Sequence, residues 1–167
     1  MDVSAGEVAR EFIQGELGAE RVLKSSLETR GSTIITTSGA LVTLLFGLAA
    51  VVTKSPNFVL PEGTHWLLVV AAALFISAAV LGIVVNAPIS YLRVVLDDIA
   101  VFVTTRMVWD RDGVEVDRQL THAQLVELVD VRRRNQTKGW LVVAAMSAQA
   151  TAALLTAIVI GVVLAKS

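Results

Sequence analysis

The chain has 167 residues, of which 54% are hydrophobic and 17% charged, against roughly 25% charged in soluble domains. Its net charge of −1 gives no global basic bias towards nucleic acid. With no cysteine, disulfides and every cysteine-based metal, redox or nucleophilic site are excluded.

Residues 5–30 read as an amphipathic helix. Val8, Phe12, Ile13, Leu17, Leu23 and Leu27 form a rough apolar stripe, weakened by Gly15 and Gly18, each costing roughly 1 kcal/mol against Ala. The opposite face mixes both charges, which favours packing on protein helices over lying on lipid. The acidic start, with Asp2, Glu7 and Glu11, does not fit a signal peptide.

Three stretches carry no charge: 33–53, 66–89 and 139–165. Each meets the length of about 20 residues that a membrane-crossing helix needs. Strict apolar–polar alternation is missing, so barrel strands are not expected. Three buried helices of a soluble fold would demand a larger protein to hide them. The expected fold is therefore all-α, a single membrane domain over residues 1–167 with three transmembrane helices.

Basic residues orient it. Four of the fourteen Lys and Arg precede the first stretch and eight lie between the second and third; the loop at 54–65 holds only Lys54 and the tail only Lys166. Lys and Arg collect on the cytoplasmic side. The N-terminal helix (1–31) and residues 90–138 are thus expected in the cytoplasm, with the C-terminus outside the plasma membrane. Trp66 and Trp140 stand at span starts, where indole favours the interface.

Residues 90–138 read as a helical hairpin. Pro88 predicts a break near the inner interface. Leu92, Leu96, Ile99, Phe102 and Val103 recur at helical spacing, while Val and Thr in VFVTT keep a strand as the competing reading. DRDG at 110–113 marks a turn, and Thr121 is a candidate cap for a helix running into span three.

Catalytic constellations are not found. His65 and His122 fall on opposite sides of the membrane, and no phosphate loop, metal-ligand spacing or nucleophile elbow occurs. Asp97 and Asp98 point apart on a helix. A non-enzyme with no catalytic residue, cofactor or metal is expected. No span carries an ionisable residue, which disfavours a carrier.

Two sets of residues stand out. Arg132, Arg133, Arg134 and Lys138 crowd the foot of span three. Acidic Glu127 and Asp130 precede them and hydrocarbon follows, so an anionic lipid or ligand is the expected contact, not nucleic acid. Asn135 opens an NQT glycosylation sequon, discounted because it lies inside. Gly39, Thr43 and Gly47 in span one, Gly82 and Asn86 in span two, and Gln149 in span three suit close helix packing or homo-oligomer assembly. A lone mid-span amide such as Gln149 needs a partner, in the bundle or in another copy. RGSTIITTSGALVT (30–43) also echoes KGWLVVAAMSAQAT (138–151) at an offset of 108, chiefly through a cation, a glycine and small residues.

LKSSLETRGSTIITTSGALVTLLFGLAAVVTKS (23–55) and VRRRNQTKGWLVVAAMSAQATAALLTA (131–157) resemble small, largely actinobacterial three-span membrane proteins. This group includes integral membrane plasmid transfer proteins and the transmembrane effectors of the Pycsar anti-phage system. The resemblance implies membrane damage triggered by a cyclic pyrimidine nucleotide, although the chain has no recognisable cyclic-nucleotide-binding domain. The residues themselves leave three readings: a structural or accessory subunit of a larger membrane complex or homo-oligomer, a signal-triggered membrane-permeabilising effector, and a small pore or carrier.

Overall fold

The computed structural model describes residues 5–53, 63–87 and 112–166. They form three helices: α1 (Ala5–Thr53), α2 (Thr64–Asn86) and α3 (Gly113–Lys166). The all-helical expectation holds. The stretches of α2 and of α3 up to Val163 are long and apolar enough to cross a membrane. The uncharged segment 33–53 is helical throughout, as part of α1. The first arm of the expected hairpin and most of the loop at 54–65 lie outside the described residues.

The segment 5–30 is helical as expected, and α1 runs unbroken from Ala5 through the uncharged stretch. One expectation about a boundary is corrected. Thr121 caps nothing. Its Oγ1 donates to the Asp117 carbonyl within α3 at 2.8 Å. Asp112 starts that helix instead, its side chain accepting the Val114 N–H at 3.3 Å and its carbonyl the Glu115 N–H at 3.0 Å. The Asx side chain just after the turn satisfies amides that the first helical turn leaves open. At the other end of α2, Ala87 is extended (φ −57°, ψ 136°), as a residue before proline must be.

The chain divides into two compact units: Met1–Ser25 with Pro88–Thr137, and Ser26–Ala87 with Lys138–Ser167. In the first, α1 and α3 run parallel, joined by pairs 107 to 116 residues apart in sequence. The buried positions are Ile13, Leu17 and Glu20 on α1, and Leu128, Val131 and Asn135 on α3. Steps of three and four are the signature of a coiled-coil seam. Ile13, Leu17 and Leu128 form its apolar core.

In the second unit α1 and α3 again run parallel, with pairs 110 and 112 residues apart. The helices related by the offset of 108 are thus neighbours pointing the same way. Leu27, Gly31, Ile34 and Ser38 on α1 and Lys138, Val142, Ala145 and Ala152 on α3 are buried. The third helix, α2, is antiparallel. Its buried face, Ala71, Phe75, Ala78, Gly82 and Val85, keeps steps of three and four. One apolar cluster joins Leu27, Ile34, Ala78, Val85, Val142 and Ala145; another joins Ala71, Phe75 and Ala152. The outward surface of this unit is apolar as well, with Leu44, Phe46, Val69, Ile76, Ile83 and Leu154 all exposed.

The apolar stripe read on the N-terminal segment therefore splits. Ile13, Leu17 and Leu27 are buried, while Val8, Phe12 and Leu23 are exposed. The reason is the seam period: a step of one, as from Phe12 to Ile13, turns a helical side chain by about 100° and cannot keep both on one narrow face.

Candidate functional site

The polar residues of the first unit tie α1 to α3. Arg132 anchors them. Its Nε donates to Glu20 Oε1 at 2.8 Å and its terminal nitrogen to Glu16. Asn135 lies beneath, 1% exposed, its Nδ2 donating to the Glu20 carbonyl at 2.8 Å and to Glu20 Oε2 at 2.9 Å. Arg10 pairs with Asp117 at 2.6 Å and Arg21 more loosely with Glu127 at 3.6 Å. These bonds have a titration signature. The hydrogen bond from Arg132 holds the Glu20 carboxyl below its ordinary 4.5 against the opposing effect of burial, with Asn135 helping. The same two carboxylates hold Arg132 above its usual value.

In the second unit Lys138 is fully enclosed, 1% exposed, with Nζ 2.7 Å from Glu28 Oε1. Its long apolar stem fills the seam where the uncharged stretch begins. Further along, Gln149 donates from Nε2 to Thr37 Oγ1 at 2.6 Å, so this amide finds a partner within the chain.

The four cations ahead of the uncharged stretch 139–165 are thereby separated. Arg132 and Lys138 are committed to carboxylates of α1, and Arg134 pairs with Asp130 one turn back at 2.9 Å. Arg133 is exposed and has no protein partner among the described residues.

The small residues separate too. Gly82 lies against α1. A methyl group placed there would sit 2.9 Å from the Gly31 carbonyl and 2.9 Å from Ile35. Gly31 is equally tight, 2.6 Å from Asn86 Nδ2. Asn86 in turn donates to the Gly82 carbonyl at 3.0 Å and accepts from Ser32 Oγ at 3.5 Å. Gly31 and Gly82 thus set a near backbone-to-backbone crossing. Gly39, Thr43 and Gly47 lie elsewhere: all three are exposed, and nothing comes within 4 Å of either glycine's missing side chain.

Sequence reasoning passed over Glu16, Glu20, Glu28 and Gly31. Their signal was present, since steps of three and four from Ile13 reach Glu20 and Gly31 on the seam. An apolar groove of about 310 Å³ opens between the helices, lined by Leu41, Leu45, Phe75, Ala153, Ala157 and Ile160 among others. No cluster of metal-ligating side chains occurs among the described residues. No protein-family model matches the chain, and neither does any curated protein or solved structure.

Proposed function

We propose that this protein is a multi-pass component of the plasma membrane with three spans, near 33–53, 66–89 and 139–165. Its N-terminus and residues 90–138 lie in the cytoplasm and its C-terminus outside. It performs no chemistry. It is a self-associating or accessory structural subunit whose ion-paired cytoplasmic helices dock other proteins.

The observation that carries this reading is the outward apolar surface of the second unit. Leu44, Phe46 and Leu154 are each more than 60% exposed, on helices without an ionisable residue between 33 and 53, 66 and 86, or 139 and 165. Water does not tolerate an apolar face of that extent on a monomer, whereas hydrocarbon demands it. The placement of Lys and Arg supports the orientation. Alkaline carbonate extraction tests the insertion: the chain stays with the membrane pellet, and release into the supernatant overturns it.

A second reading, a signal-triggered permeabilising effector, rests on the resemblance in 23–55 and 131–157. Release of a trapped dye from liposomes on addition of a cyclic pyrimidine nucleotide tests it, and tight liposomes discard it.

A further inference from the structure

The apolar groove of about 310 Å³ lies wholly within the second unit. Its origin is a mismatch of side-chain size. Leu41 and Leu45, one turn apart, line it from α1, whereas α3 brings only the methyl groups of Ala153 and Ala157 at the same spacing. From α2 comes Phe75 alone, itself 1% exposed. One turn earlier on both α1 and α3, Gln149 donates to Thr37 at 2.6 Å and ties the two helices together. The groove lies beyond that tie, towards their C-terminal ends. It offers no free donor: its one side-chain hydroxyl, on Thr156, donates to the Ala152 carbonyl at 2.9 Å. A water needs about 2–4 polar partners, so water does not fill this groove. Left empty, its lining would lose dispersion contacts along one whole side.

We infer that the groove holds one acyl chain of a membrane lipid, entering from the side on which α1 and α3 end. Size excludes a further helix. A helix is about 10–12 Å across and rises about 1.5 Å per residue, so the length between Ala153 and Ile160 alone would fill roughly 1,000 Å³, about three times the groove. An acyl chain is far thinner, and it is the material that surrounds the proposed spans. Depth agrees with it. Leu41 and Leu45 stand near the middle of the uncharged stretch 33–53, and Ala153 near the middle of 139–165, where a bilayer presents chain ends and not headgroups. The chain's own undescribed segments are the wrong material. Residues 54–63 start where α1 ends and carry Lys54, Asn57 and Glu62, which hydrocarbon penalises. Residues 88–111 belong to the first unit.

The inference rests on the proposed membrane insertion. The test uses the full chain in vesicles of phosphatidylethanolamine and phosphatidylglycerol that carry a phosphatidylcholine with a diazirine near the end of one acyl chain. On illumination, adducts should concentrate at Leu41, Leu45 and Ala153 to Ile160. An even spread over the exposed apolar positions Phe46, Ile83 and Leu154 overturns the inference. Native mass spectrometry in mild detergent should show the 17.8 kDa chain carrying one phospholipid. Ala157→Phe, which fills the groove, should lower that bound fraction at least about fivefold, while Ile83→Phe, exposed and off the groove, should leave it unchanged. Chains that carry no lipid, or that occur as lipid-free dimers, overturn the inference. A chain that stays in the carbonate pellet yet retains no lipid refutes the groove and leaves insertion standing. A chain released by carbonate refutes both.

Discussion

Gly82 and Gly39 have the same side chain and opposite circumstances. At Gly82 a methyl group would collide with the Gly31 carbonyl and Ile35. Gly82→Leu should therefore push α2 off α1 and cost about 1–3 kcal/mol, read as a lower thermal midpoint in detergent. Gly39→Ala meets nothing and should leave that midpoint unchanged or raise it, by up to about 1 kcal/mol. Glu20 is the corresponding case among charges. Its carboxyl is held below 4.5 by the Arg132 hydrogen bond, so the folded form binds its proton less readily than the unfolded form. The stabilisation is complete above about pH 4.5 and is lost as pH falls through the lower folded value. The thermal midpoint should be flat in Glu20 titration above that range and fall below it, and Glu20→Gln should flatten part of the acid limb.

At the scale of the element, the polar seam residues fix how α1 meets α3. An apolar seam alone can slide by a heptad at small cost, whereas a buried amide or ion pair is satisfied in one register only. Asn135 with Glu20, and Lys138 with Glu28, each lock one level. The Lys138–Glu28 pair should show a coupling of about 0.5–3 kcal/mol in a double-mutant cycle with Lys138→Met and Glu28→Gln. Additive effects would mean that Lys138 contributes through its stem alone.

For the whole molecule, the proposed orientation rests on the charge asymmetry, and His65 and His122 can test it. His65→Cys should react with a membrane-impermeant maleimide in intact cells, and His122→Cys only after permeabilisation. Labelling of both, or the reverse order, would overturn the orientation proposed.

Helical class and the three uncharged stretches were legible in the sequence because lack of charge over a span's length needs no knowledge of neighbours. The boundaries of α2 were legible to within a few residues, since Pro88 acts through local sterics. The partners were not. Four cations within seven positions read as one patch, yet three of them point to carboxylates; those on Arg132 and Lys138 lie over a hundred residues away in sequence. Composition records charge, while a parallel helix pair decides which charges are neutralised. Likewise, Gly39 and Gly82 cannot be told apart from spacing, because both belong to stripes of small residues. Only the packing of α1 on α2 and α3 showed that one is used inside the chain and the other is left facing out.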